Sequence, residues 1–296
     1  MDFIYAQKLE EALDALRSQA GRAKVLAGGT DLMIQIARGE KQPQALIFIG
    51  QLKDDLATIS LSQDGYLNIG ALVTHRQICA DRHIQANYPA LATASASVGG
   101  WQTQSVGTLA GNICNASPAA DTIPPLLVHE AVVTVQSAAR GLRDVLLEHF
   151  ITGRRQIAIE NDEMVVGITL APPPADTADA YLKVGRRKAM EVAIAGLAMR
   201  LTMAGPETVG ELRVATCATG PVSRRASEVE ALFSGQKLTN ELVTQGASLL
   251  GRMIQPIDDT RASAEYRKLV IPKLFRGAVL ECLAKLGIAI SGLEKS

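Results

Sequence analysis

The residues best suited to chemistry lie in two glycine-bearing segments. The first, Ala27-Gly28-Gly29-Thr30-Asp31, follows a short apolar run and precedes a helical pattern. Consecutive glycines admit positive φ and carry no Cβ, so successive backbone N–H groups can converge on an anion beside the start of the next helix. A pyrophosphate is a natural guest, although the string taken alone reads as an ordinary tight turn. Its spacing is neither G-x-G-x-x-G nor G-x-x-x-x-G-K-[ST], which excludes the common phosphate loops.

The second segment runs from Gly107 to Asp121, GTLAGNICNASPAAD. It offers small residues for close backbone approach, polar donors in Thr108, Asn112 and Ser117, and a carboxylate, Asp121, able to accept from ribose hydroxyls. The apolar run Ile123 to Val128 should anchor it. Other reactive patterns find no support. His75, His83, His129 and His149 are dispersed without H-x-x-x-H or H-E-x-x-H spacing, and no G-x-S-x-G is present. Cys79, Cys114, Cys217 and Cys282 stand singly without C-x-x-C, which disfavours zinc ribbons, iron-sulfur clusters and disulfides and reads as small buried thiols.

These segments need a scaffold to position them. The 296 residues, 47% of them hydrophobic, suffice for one large domain or two modest ones. Thirty basic side chains balance thirty acidic ones, so no global field gathers nucleic acid or anionic lipid, and a bound phosphate needs a local backbone site. Met1-Asp2-Phe3-Ile4-Tyr5 lacks the character of a signal peptide and no uninterrupted apolar run spans a bilayer, so a cytoplasmic location is expected.

Periodicity predicts a helix over Leu9 to Arg17, a strand over Lys24 to Ala27 and a helix over Leu32 to Ala37 capped by Thr30 or Asp31. Strands follow at Ala45 to Ile49 and Leu67 to Ala71, then a helix through Ala80 capped by Thr74, and an alanine-rich helix over Ala90 to Val98. From Gly99 to Pro125 the chain reads as a long loop, a segment type usually kept for function. Ala131 to Val135 and Met164 to Leu170 are β-rich, and Pro172-Pro173-Pro174 is a stiff break taken as a domain boundary. Beyond it, strands at Tyr181 to Val184, Val192 to Thr202 and Leu212 to Thr216 precede helices at Arg225 to Phe233, Glu241 to Met253 and Ser263 to Leu286, the last interrupted at Pro272.

The two glycine segments, in this order and followed by Thr122-Ile123-Pro124-Pro125-Leu126, Lys183-Val184-Gly185-Arg186-Arg187 and Ala264-Glu265-Tyr266-Arg267, resemble the FAD-binding subunit of the molybdenum hydroxylases. This is the family of xanthine dehydrogenase and of the medium subunit of aerobic carbon monoxide dehydrogenase. The resemblance spans nearly the whole chain and implies an α+β fold. A two-subdomain FAD module of the vanillyl-alcohol oxidase type would occupy residues 1–174, with subdomains about 1–55 and 56–174, and a small α+β domain residues 178–290.

By the same resemblance Ala27, Gly28, Gly29, Thr30 and Asp31 serve the FAD pyrophosphate, joined by Thr108. Gly111, Asn112 and Ser117 wrap the remainder, Asp121 meets the ribose of the adenosine half, and Lys183 lies near the flavin. Tyr181, on the face of its strand that carries Lys183, either packs against the ring system or is an ordinary core tyrosine. Two departures stand out: Ala110-Gly111-Asn112 replaces the frequent Gly-Gly-Asn, and Gln102-Thr103-Gln104-Ser105 replaces Gln-Ile-Arg-Asn, losing a cation. Trp101, the only tryptophan, stands beside this stretch and is a candidate partner contact rather than core.

The function implied is electron transfer. One non-covalent FAD would take electrons from 2Fe-2S clusters in a small partner and pass them to NAD or another acceptor, while a large partner with a molybdenum pterin oxidises the substrate. A dimer of such heterotrimers is the expected assembly. The isolated cysteines give this chain nothing to hold the partners' centres. Alternatives are a free-standing FAD reductase or oxidase of the same superfamily, or a scaffold subunit without catalysis.

Overall fold

The structure is a computed structural model that describes residues 1–187 and 190–293. The chain divides into two compact units that interleave along the sequence. The first comprises Met1–Ile78, Gly100–Ala116 and Glu130–Ala171; the second comprises Cys79–Gly99, Ser117–His129 and the chain from Pro172 onward.

In the first unit, Asp2–Tyr5, Ala45–Phe48 and Ala23–Leu26 form a parallel sheet in that order. The helix Leu9–Gln19 covers it, burying Ala12, Leu13 and Leu16 against Ala23, Ala45 and Ile47, as its helical spacing of apolar residues requires. A five-stranded antiparallel sheet runs Ile59–Leu61, Leu67–Gly70, Glu163–Leu170, Val132–Ser137, Gly141–Leu146. The edge strand Gly141–Leu146 is almost wholly exposed, so its sequence carries no apolar alternation and only ladder pairing reveals it. Thr74 starts the helix His75–Ala80 as expected, through a reciprocal box: its Oγ1 accepts from Gln77 N–H at 3.2 Å and its own N–H donates to Gln77 Oε1 at 2.9 Å.

The segment expected to be a loop is mostly helical: Trp101–Val106, Leu109–Asn115 and Ile123–Val128 are helices of six, seven and six residues. Each is too short for an apolar repeat to show; a side-chain cap, from Thr108, holds Leu109–Asn115, while the other two start without one. The cap expected from Thr30 or Asp31 is also absent as a side-chain bond; Asp31 occupies the N-cap position of Leu32–Ala37, and only its backbone carbonyl accepts from the helix, from Gln35 N–H at 3.0 Å.

In the second unit, Thr177–Val184, Ala195–Met203, Val209–Cys217 and Arg224–Arg225 form an antiparallel sheet. Its two faces differ in chemistry. Ala178, Ala180, Leu197, Met199 and Leu201 point to a core completed by Phe233, Phe275 and Val279 from the helices Ser227–Phe233 and Ala264–Leu286. The alternate residues of the first strand, Asp179, Tyr181 and Lys183, point to the opposite face, where Pro89–Ala96 and Ile123–Val128 pack. There Asp179 accepts from Ala90 N–H at 3.0 Å and pairs with His129 Nε2 at 2.7 Å, all buried. Both faces are covered, which is why Ala195–Met203 is buried almost without alternation.

The final helix is not interrupted at Pro272; Ala264–Leu286 is continuous. An interior proline costs about 3 kcal/mol. Burial of Val270, Ile271, Phe275, Val279 and Leu283 along the same helix, at about 1.5–3 kcal/mol each, outweighs it. Ser263 caps the helix by accepting from Tyr266 N–H at 3.1 Å. Arg267, the last residue of the Ala264-Glu265-Tyr266-Arg267 motif, is fully buried and donates to the carbonyls of Ile194 and Ile257 and to Asp259. That motif is therefore a fastening: the guanidinium ties the segment before the helix to the sheet.

Candidate functional site

The two glycine segments meet inside the first unit. The strand Ala23–Leu26 ends in Ala27-Gly28-Gly29-Thr30-Asp31, and Gly29 adopts φ +69°. A Cβ on Gly28 would stand 1.8 Å from the carbonyl oxygen of Val106, so the loop presses its backbone against the end of the helix Trp101–Val106. No side chain fits there. Thr30 Oγ1 and His75 Cδ2 flank Gly107, 3.4 and 3.5 Å from where a side chain would begin.

The second segment is held from behind by an antiparallel bridge between Thr74 and Thr108, with His75 N–H donating to Gly107 O and Leu109 N–H to Val73 O, both at 3.0 Å. Thr108 caps the helix Leu109–Asn115 by accepting from Gly111 N–H at 3.0 Å, and half-buried Asn112 sits in that helix's first turn. Gln35, in the helix Leu32–Ala37, donates to Asn115 Oδ1 at 2.9 Å, tying together the two helices that the glycine segments open. Among the described residues, the backbone N–H groups of Gly28, Gly29, Thr30 and Asp31 donate to no protein acceptor. Four consecutive free donors on a loop without side-chain bulk make a cradle for an anion.

Sequence reasoning missed His75. It is 2% exposed, and burial pushes its pKa down to about 4, so the ring is neutral at neutral pH; its Nδ1 has no partner among the described residues. Nothing in its spacing distinguishes it from the other histidines, because its position follows from the Thr74–Thr108 bridge.

The remaining candidates lie in the second unit. Ser117 shapes a turn, its Oγ accepting from Ala119 N–H at 3.3 Å. Asp121 is buried and accepts from Tyr181 Oη at 2.6 Å through one oxygen and from Lys183 Nζ at 2.8 Å through the other. Burial pushes the Asp121 carboxyl up, while the Lys183 ammonium beside it acts in the opposite sense. Tyr181 thus hydrogen-bonds a carboxylate through a phenol that burial holds well above its usual pKa. Lys183 presents a charge compensated by Asp121 rather than an isolated cation. Arg186 and Arg187 both pair with Glu191. In the first unit, Arg76 stacks over Trp101 at 3.7 Å, leaving that indole 61% exposed.

Comparison with known proteins decides the family. A family model for the FAD binding domain in molybdopterin dehydrogenase matches residues 1–173, and one for the CO dehydrogenase flavoprotein C-terminal domain matches residues 180–282. The chain is 30% identical over 283 residues to the xanthine dehydrogenase FAD-binding subunit of Escherichia coli O157:H7, covering 95% of this chain and 96% of that one. The chain belongs to the FAD-binding subunits of the molybdopterin dehydrogenases. The nicotinate dehydrogenase FAD-subunit of Eubacterium barkeri is 28% identical over 291 residues, covering 96% of this chain and 97% of the relative. A solved chain of carbon monoxide dehydrogenase from Hydrogenophaga pseudoflava superimposes with TM-score 0.91 at 27% identity, covering 96% and 98% of the two chains.

Members of this family are subunits of oxidoreductases, and FAD is the cofactor assigned to this chain. The first unit's cradle fits a pyrophosphate: its donors are backbone N–H groups, and a Cβ would fill the space that Gly28 leaves open. Among the described residues no helix is long and apolar enough to cross a membrane, and no cluster of three His, Cys, Asp or Glu could hold a metal.

Two stability measurements follow. Gly28→Ala forces a Cβ into the Val106 carbonyl and should destabilise the chain by about 1–3 kcal/mol or more through overpacking. Gly39→Ala, at φ +72° in open space, is the control and should cost about 1 kcal/mol from backbone strain alone. Urea denaturation of both variants checks the difference, and equal losses would contradict the close approach.

His75 gives a pH window. Its folded pKa is depressed from 6.5 to about 4, so between those values the unfolded chain binds the additional proton. The contribution is complete above about pH 6.5 and is lost as pH falls towards 4, about 3 kcal/mol in all. Urea midpoints measured from pH 4.5 to 7 should rise with pH in the wild type and flatten over that interval in His75→Phe; identical slopes would show that the imidazole is not buried neutral.

Proposed function

We propose that this chain is the electron-transfer subunit of a molybdenum-containing hydroxylase. In this reading it holds one non-covalent FAD between a partner carrying 2Fe-2S clusters and a terminal acceptor, for which NAD is our choice. The observation that carries the reading is the run of four N–H groups from Gly28 to Asp31 that have no acceptor among the described residues, pressed against the second glycine segment. Those N–H groups would bind the pyrophosphate, with Ala27 keeping the turn small. The Thr108 hydroxyl, whose oxygen already caps its helix, retains its hydrogen to donate, and Gly111 and Asn112 line the same helix start.

In the second unit, Ser117, Asp121 and Lys183 are proposed as further cofactor residues. A carboxylate has about four lone-pair positions, so Asp121 keeps acceptor capacity beyond the bonds from Tyr181 and Lys183. FAD, when bound, supplies a group that stores two electrons and exchanges them singly. The residues here would bind and orient it. The molybdenum pterin and the 2Fe-2S clusters are assigned to large and small partner subunits, in a cytoplasmic dimer of heterotrimers.

The test is uptake of the cofactor by the full chain. Purified protein incubated with FAD and desalted should be yellow, hold one FAD per chain releasable by acid, and contain no molybdenum, iron or acid-labile sulfide. A folded chain that takes up no FAD under any condition would overturn the reading.

A further inference from the structure

The manner in which Lys183 is held goes beyond the cofactor assignment and points to a role for a neighbouring side chain. An ammonium has three N–H groups. Lys183 gives one to Asp121 Oδ2 at 2.8 Å and one to the carbonyl of Ser97 at 3.1 Å, and the third has no acceptor among the described residues. The Lys183 side chain is 14% exposed, so that third group remains reachable. The opposite oxygen of Asp121 is bound by Tyr181 Oη at 2.6 Å, and Tyr181 in turn lies 3.7 Å from Cys217 Sγ, deep in the second unit.

We propose that Tyr181 is a positioning residue: its hydroxyl fixes the plane of the Asp121 carboxylate, and that carboxylate fixes Lys183, leaving one ammonium N–H for an acceptor atom of bound FAD. The proposal rests on the FAD reading above. A carboxylate held through one oxygen alone rotates about its terminal torsion, which is broad and shallow. Bound through both oxygens, it aims Oδ2 in one direction. Lys183 would otherwise sample the many rotamers of a four-carbon stem; Asp121 and the Ser97 carbonyl reduce these to one.

The strand's alternation makes the arrangement possible. Tyr181 and Lys183 are two residues apart on one face of Thr177–Val184, and Asp121 bridges their ends. Opposite Tyr181 and Lys183 across the ladder stand Ala198 and Gly196, small residues that leave both long side chains room to lie over the sheet. A Cβ at Gly196 would fall 2.6 Å from both Tyr181 Oη and Cys217 Sγ, so the phenol is confined from below as well.

The test uses the full chain and a readout that does not need FAD. In FAD-free protein, acetylation of Lys183 followed by mass spectrometry should be about fivefold faster in Tyr181→Phe than in the wild type, the scale of one hydrogen bond's net contribution. Thermal midpoints should stay within a few degrees of each other. At saturating FAD, the visible circular dichroism of the bound flavin should change in the same variant, which a merely structural tyrosine would not produce. Asp121→Asn, which keeps the shape but not the charge, should release Lys183 in the same way and decides the matter if Tyr181→Phe does not fold. Unchanged Lys183 acetylation in the folded variants would overturn the positioning role. Faster acetylation combined with a Lys183→Met variant whose FAD affinity and flavin dichroism match the wild type would overturn the placement of Lys183 at FAD instead.

Discussion

The contact between Gly28 and the Val106 carbonyl is the constraint on which the first unit's site depends. It brings together two loops far apart in sequence, and it does so through backbone alone. At this separation any Cβ clashes, so the position admits only glycine. The positive φ of Gly29 then turns the chain, and the N–H groups from Gly28 to Asp31 are left with no partner among the described residues. A fold rarely leaves consecutive main-chain donors unpaired without a guest or solvent to satisfy them. Behind the loops, the Thr74–Thr108 bridge and the Gln35–Asn115 bond fix the two helices that the loops open, so the cradle is built before any ligand arrives.

The second unit solves a different problem. Its sheet is covered on both faces, which ordinarily demands apolar residues throughout, yet one face carries Asp179, Tyr181 and Lys183 on a single strand. Each is met by specific partners from the segments packed above it: His129 and the Ala90 N–H for Asp179, Asp121 for Tyr181, and Asp121 with the Ser97 carbonyl for two of the three N–H groups of Lys183. Leaving any of these groups unpaired would cost about 1–3 kcal/mol. The inserted segments 79–99 and 117–129 therefore belong to this unit by chemistry as well as by proximity, since they bring the partners that the strand requires.

Much of this was legible in the sequence. The motifs and their order led to the family, and long elements with clear periodicity, such as Leu9–Gln19 and Asn240–Met253, followed from apolar spacing. What was not legible has physical reasons. The helices between residues 101 and 128 are a turn or two long, and only Leu109–Asn115 has a side-chain cap, so their glycines, serines and prolines read as loop. Pro272 reads as a break because local propensity says so, whereas tertiary burial overrides it. The start of Thr177–Val184 is hidden by Asp179, a charge whose buried partner is fifty residues away. Val106 carries no signal at all, because it contributes a carbonyl rather than a side chain.

The central claim is that the main chain of these loops holds the cofactor's phosphates, and amide hydrogen exchange of the full chain with and without saturating FAD tests it most directly. Exchange at Gly29, Thr30 and Asp31, whose N–H groups have no acceptor among the described residues, should be fast in the free chain and strongly slowed by FAD, while the helix Asn240–Met253 serves as an internal reference that does not change. FAD bound at full occupancy with no protection of those amides would contradict the account.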